Sequence, residues 1–161
     1  VTKEDDAQII GNTIINTEAD KNDFRAIDIT ANGQVKIEQN KINLKTKNYS
    51  GAISVRVIAA DAAAPATNVN NSIINESNND SSYGLQIGGT ETANINIAHN
   101  TVVFRGKAKG SKPVQRSTDL INIVVTQNII QNEAGGYVYF LTGKNSPDAI
   151  KFLKNNLYTA G

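Results

Sequence analysis

An asparagine returns six times in this chain at one phase of an apolar pattern: Asn12, Asn40, Asn71, Asn100, Asn128 and Asn155, at spacings of 28, 31, 29, 28 and 27 residues. Five residues before it stand Ala7, Val35, Ala66, Ile95, Ile123 and Ile150, and two after it Ile14, Ile42, Ile73, Val102, Ile130 and Leu157. Three before it come Ile9, Ile37, Asn68, Ile97, Val125 and Phe152, so only the third copy breaks the pattern. Alternation on both sides of a polar pivot marks two short strands, each with one buried face, that meet at a corner. Asparagine tolerates the left-handed backbone region better than most residues, so the pivot reads as the corner itself.

Most repeats hold a third alternating segment: "AIDIT" at 26–30, "AISVRVI" at 52–58, "YGLQIGG" at 83–89 and "YVYFL" at 137–141; the fourth repeat lacks a convincing one. Three short strands in each period of 27–31 residues, with no helical pattern, predict an all-β chain. The expected architecture is a right-handed parallel β-helix, a solenoid of about 5–6 coils. An antiparallel sandwich would also give short strands between turns, but no reason for one asparagine phase in every repeat. Composition agrees, since 22 of the 161 residues are asparagine and only 3 are proline. Asparagines at equal heights on stacked strands can ladder through their side chains. Asn16, Asn75 and Asn132, four residues after their corners, are candidates for a second ladder.

Through "GNTII", "NKINL", "NSIIN", "HNTVVF" and "QNIIQN", nearly the whole chain resembles the pectate-lyase-like superfamily of right-handed parallel β-helices. The resemblance implies the fold. That superfamily spans lyases, glycosidases, epimerases, esterases, phage tailspikes and adhesins, so it leaves the function open. The paired-aspartate signature of its glycosidases and the arginine- and proline-rich signature of its pectate lyases are missing from these residues.

Residues 1–161 read as a single β-helix domain and as a segment of a longer one, because the chain holds no methionine and neither end shows an amphipathic cap. Further coils or an oligomeric partner are expected over the ends, where strand edges would otherwise recruit other strands. A net charge of +1 gives no general attraction to nucleic acid, and no apolar run is long enough for membrane insertion. The chain has no cysteine and one histidine, which removes disulfides, thiolate sites and histidine metal clusters. Asp5, Asp6, Asp61 and Asp80 stand in expected turns where Ca2+ could bind, but without ligand spacing; no metal and no cofactor is expected.

His99 is the single imidazole, hence the one side chain whose ordinary pKa suits a base near neutral pH. Its phase is filled elsewhere by Gly11, Gln39, Asn70, Gln127 and Lys154, which marks a solvent-facing turn position. A stronger candidate is "RGKAKGSKPVQR" at 105–116, where Arg105, Lys107, Lys109, Lys112 and Arg116 occur with no acid between Glu91 and Asp119. Read as a loop after the third strand of its coil, it would overhang a groove and neutralise the carboxylates of an acidic sugar. A third candidate is a binding row of Asp28, Arg56 and Gln86 on the outward face of the third strands, with Asp28 and Arg56 ion-paired. Alternation splits Tyr137, Tyr139 and Phe140 between faces, with Phe140 expected in the core and another ring free to stack on a sugar. The expected function is carbohydrate engagement by a secreted or cell-surface protein that degrades or modifies polysaccharide, of lyase or glycosidase type, acidic glycans preferred. The alternative is a non-catalytic solenoid, an adhesin stalk or phage tailspike body.

Overall fold

The computed structural model describes residues 2–4, 6–17, 23–57, 61–88, 92–116, 120–142 and 149–160. They form a parallel β-solenoid of about five turns, stacked as six three-strand layers. The layers are β1 (Thr2–Glu4), β2 (Ala7–Ile10) and β3 (Thr13–Asn16); β4 (Phe24–Ala31), β5 (Val35–Glu38) and β6 (Lys41–Thr46); β7 (Ser50–Val57), β8 (Ala66–Val69) and β9 (Ser72–Ser77); β10 (Tyr83–Ile87), β11 (Thr92–Ala98) and β12 (Thr101–Arg105); β13 (Lys112–Arg116), β14 (Leu120–Thr126) and β15 (Ile129–Asn132); and β16 (Tyr139–Leu141), β17 (Ile150–Leu153) and β18 (Asn156–Thr159). The first strands of the layers stack into sheet 1, the second into sheet 2 and the third into sheet 3, six strands each. The fourth repeat does have its third segment. It is β13, hidden in the sequence because Val114 is its one aliphatic residue and Pro113 interrupts the alternation.

Side chains at equal phase stack inward. In sheet 1 the rows are Ile27, Ile53, Leu85, Val114, Tyr139 and Ile29, Val55, Ile87; in sheet 3, Ile14, Ile42, Ile73, Val102, Ile130, Leu157. Middle-layer members of these rows are almost wholly buried, because each has neighbours above and below as well as across the coil.

The asparagines form a ladder, not the left-handed corners. The left-handed residues are those just before them, Gly11, Gln39, Asn70, His99, Gln127 and Lys154, with φ between 53° and 70°. Each turn so made points the asparagine inward, where its Oδ1 accepts the backbone N–H of the asparagine one layer earlier in the chain. These bonds run Asn12 to Asn40 (3.0 Å), Asn40 to Asn71, Asn71 to Asn100, Asn100 to Asn128 and Asn128 to Asn155 (2.9 Å each). Each Nδ2 of the first five also donates to the next Oδ1, at 2.9–3.1 Å. From Asn40 onward, Nδ2 reaches back to a carbonyl of the preceding layer, Ile9, Ile37, Asn68, Ile97 or Val125. Asn68, the polar residue that breaks the inward row, is 2% exposed and accepts from Asn71 Nδ2 at 2.8 Å. Its burial is therefore compensated by the ladder itself.

No second ladder forms. The phase of Asn16 runs Asn16, Leu44, Asn75, Phe104, Asn132, Thr159, so apolar residues separate the asparagines. Asn75 and Asn132 instead hold the turns into sheet 1, donating to Tyr83 O (2.9 Å) and Tyr137 O (2.7 Å).

Replacing Asn100 by alanine strands the buried Asn71 N–H and removes the side-chain donor to the Asn68 carbonyl, and should cost ~2–4 kcal/mol. Asn12→Ala, at an exposed ladder end, should cost under ~1 kcal/mol; urea unfolding of the two variants checks the difference. Burial pushes the Tyr139 phenol up to about 12 and raises that of Tyr83 too, both from an ordinary 10.0. The folded state thus holds these protons more tightly than the unfolded chain. Their contribution is intact below about pH 10 and falls as pH rises through about 12, which stability measured across that window should reproduce.

Candidate functional site

The ladder makes the layers alike at the corner between sheets 2 and 3, so variation is free to concentrate in the connections from sheet 3 to sheet 1. In layers two to five these are residues 47–49, 78–82, 106–111 and 133–138. They stack as the strands do: Lys107 N–H donates to Asn78 Oδ1 (3.1 Å), Gly110 N–H to Asp80 Oδ1 (2.9 Å) and Lys112 N–H to Ser82 O (3.0 Å). Two approaches require glycine, since a Cβ at Gly106 or Gly136 would lie 2.0 Å from the carbonyl oxygen of Ser77 or Lys109.

The stacking changes the meaning of the basic segment. Arg105 ends β12 and residues 112–116 are β13, so the loop is only 106–111; it follows the sheet 3 strand of layer four and leads into sheet 1, and the second half of the basic segment is itself a strand. Acids absent from the local sequence arrive from the neighbouring layers. Lys45, Glu76, Arg105 and Glu133 come to one phase in successive layers, a row of alternating charge along the stack, with Lys45 Nζ 3.7 Å from Glu76 and Arg105 Nε 3.2 Å from Glu133. Such exposed pairs contribute little stability.

Beyond this row lies an open cleft of about 340 Å³, lined by Lys45, Thr46, Lys47, Glu76, Asn78, Arg105, Gly106 and Lys107. It brings four cations to one acid. Lys45 and Arg105 are separated by two strand steps, or ~10 Å, and Lys47 and Lys107 line the same cleft from the connections that follow them. Neither Lys47 nor Lys107 has a carboxylate partner among the described residues. The sequence held the signal for Lys45 and Lys47, which the reading of a contiguous basic segment missed: Lys45 and Arg105 stand five residues after their ladder asparagines, Lys47 and Lys107 seven.

The remaining candidates are dispersed. Lys109 is exposed outside the cleft; Lys112 donates to Asp80 O (3.2 Å) and covers the Phe140 ring (4.9 Å). Arg116 turns inward at 6% exposure and donates to Thr142 O (2.8 Å), which makes it part of the wall. Asp28 and Arg56 do not pair. Asp28 stands beside Ser54, and Ser54 beside Gln86 and then Gln115, while Arg56 is opposite Thr30, two residues along the strand. Asp28 meets Arg25 at 3.3 Å, and Arg56 donates to Gly88 O at 3.2 Å. Among the aromatics, Tyr139 is the inward ring, against Phe152 at 4.5 Å; Phe140 faces outward against Tyr137 at 5.1 Å, because the register sets Tyr139 on Val114 and Phe140 on Gln115. Asp5 lies outside the described residues. Asp6, Asp61 and Asp80 each accept a backbone N–H, from Gln34, Ala63 and Gly110, so each is engaged in a different turn.

A second cleft, about 330 Å³, lies over the outward side of sheet 2 between Pro65, Asn96, Asn122 and Thr126. Asn94 and Asn122 interrupt their strands in the left-handed conformation there and are joined by an Nδ2 to Oδ1 bond of 2.8 Å. Its lining carries no charge.

Comparison with protein-family models, curated proteins and solved structures finds no match to this chain.

His99 is an exposed left-handed corner residue. His99→Gly, which relieves that conformation, should leave stability within ~1 kcal/mol of the parent, and His99→Val should lower it by ~1–2 kcal/mol. Thermal unfolding of both variants checks the assignment.

Proposed function

We propose that this chain is a right-handed β-solenoid of the pectate-lyase-like type that binds an acidic polysaccharide, outside the cell or at its surface, through the cleft between Lys45, Lys47, Arg105 and Lys107. The observation that carries the reading is the excess of cations there: four around one cleft, with Glu76 alone among the acids. Their placement along the stacking axis, ~10 Å apart, suits a polymer with repeating carboxylates lying along the solenoid. A flat wall one strand per ~4.8 Å is also a natural rail for an extended chain. The right-handed winding follows the preference of parallel crossover connections. In a larger protein that degrades or modifies polysaccharide, this surface would hold the polymer; no reaction is assigned to the residues themselves.

A second reading, a structural shaft, draws on the unbroken ladder and on the shallowness of the clefts. The two separate on one experiment. Binding of polygalacturonate, with an uncharged glucan as control, is measured by titration calorimetry for the parent chain and for a Lys47→Ala, Lys107→Ala variant. The binding reading expects at least a roughly tenfold loss in the variant, ~1 kcal/mol for each near-surface charge contact, and weakening with added salt. Lys109→Ala with Lys112→Ala should leave affinity within about threefold. Equal affinity for the glucan, or unchanged polygalacturonate binding in the Lys47, Lys107 variant, would sink it.

A further inference from the structure

The outward faces of the three sheets are not alike. In layers three and four the outward centre of the strand is Ser54 and Gln86 on sheet 1 and Thr67 and Asn96 on sheet 2, but Ile74 and Val103 on sheet 3. Ile129, in layer five of sheet 3, also points outward and is 51% exposed. Polar residues serve at the same positions on the other two walls, so the stacking of layers does not itself call for aliphatic ones. An aliphatic centre on an outward face gains most when another surface covers it.

Sheet 3 also carries a pattern along the stack. From layer two to layer five its middle row is Asn43, Ile74, Val103, Gln131: amide, aliphatic, aliphatic, amide. The row beside it is Lys45, Glu76, Arg105, Glu133, alternating in charge. A half-turn about an axis that runs along the strands, between layers three and four, brings this face onto a copy of itself with the layers in reverse order. The middle row then meets its copy as Ile74 on Val103 and Asn43 on Gln131. The charged row meets its copy as Lys45 on Glu133 and Glu76 on Arg105, opposite in sign at every layer. On the other side of the middle row, Ser72 meets Thr101, and the methylene stem of Lys41 lies along Ile129. The corresponding rows of sheet 1 (Asp28, Ser54, Gln86, Gln115) and sheet 2 (Lys36, Thr67, Asn96, Val124) set neither apolar on apolar nor opposite charges together when reversed. Layers two to five alone set the register.

We propose that the outward face of sheet 3 is covered by sheet 3 of a second copy of this chain, in an antiparallel dimer with its two-fold axis between layers three and four. The contact is isologous and closes at two copies. Facing sheets stand about 10 Å apart, so the aliphatic centres touch and each carboxylate lies between a cation of its own chain and one of the other. Those charges fix the register and disfavour a parallel pairing more than they add strength. Four strands of five residues make a face of ~300 Å², which is small for a tight dimer, so association belongs at roughly 10–500 µM protein. The half-turn keeps the strand direction, which sets the basic clefts of the two copies along one edge of the pair. The inference does not rest on the polysaccharide reading, and it is read as mass rather than as glycan binding.

Charge exchange tests it by sedimentation velocity, with circular dichroism verifying that each variant keeps the parent's β signal. Glu76→Arg sets like charges opposite Arg105, and Arg105→Glu sets like charges opposite Glu76, so each variant alone should dimerise roughly tenfold more weakly than the parent, or worse. In an equimolar mixture the new arginine of one faces the new glutamate of the other, and native Arg105 faces native Glu76. The mixture should therefore form a heterodimer within about threefold of the parent's affinity. Ile74→Ser with Val103→Ser gives sheet 3 the polar centre of the other two walls and should also weaken association roughly tenfold or more. A parent that stays monomeric up to ~500 µM, a serine variant that associates as the parent does, or a mixture no tighter than its two components would overturn the antiparallel dimer.

Discussion

The primary amide of asparagine, facing inward at one corner of every layer, is the contact on which the rest of the solenoid depends. It supplies one acceptor and two donors on a short stem, and in the middle layers all are used: Oδ1 for the backbone N–H and Nδ2 of the preceding asparagine, Nδ2 for the next Oδ1 and for a carbonyl one layer back. Aspartate would bury a charge and lose both donors, and glutamine would place the amide one carbon too deep for the same backbone N–H. The asparagine thus satisfies a corner where the strand ladder cannot, and does so only if the next layer sits at the right height. Hydrogen bonding, not apolar packing alone, sets the vertical phase of the stack.

That constraint divides the molecule. At the corner between sheets 2 and 3 each layer must repeat a left-handed residue followed by an inward amide, so sequence varies there only at the exposed left-handed position, where glycine, glutamine, asparagine, histidine and lysine all occur. At the connections from sheet 3 to sheet 1, length and charge change from layer to layer. Chemistry suited to a partner is accordingly found on that side, and it is composite: the cleft takes two cations from layer two and two from layer four, with one acid and one amide from the layer between.

A repeating fold also turns a local charge run into something different from what it is in a chain read linearly. Residues 105–116 are strongly basic by themselves, yet stacking places Glu76, Asp80 and Glu133 against them and sends Arg116 into the wall. The excess of positive charge survives at Lys47 and Lys107, whose layer neighbour is the neutral Asn78.

Much of the architecture was legible in the sequence because a solenoid writes its geometry as a period. Six asparagines at 27–31 residue intervals, flanked by apolar alternation, determined three strands per coil, the inward rows and the ladder phase. The sequence did not distinguish which residue of the corner was left-handed, since asparagine and its predecessor both suit that conformation; only the backbone placed it at Gly11, Gln39, Asn70, His99, Gln127 and Lys154. Nor did it reveal β13, where inward positions are filled by Val114 and Arg116 and apolar alternation fails. Side-chain pairing lay furthest from view. Partners about 28 residues apart meet only after turns of unequal length have set the register, so Arg105 with Glu133, Arg56 with Gly88, and the cleft that joins Lys47 to Lys107 were decided by the stacking of one layer on the next.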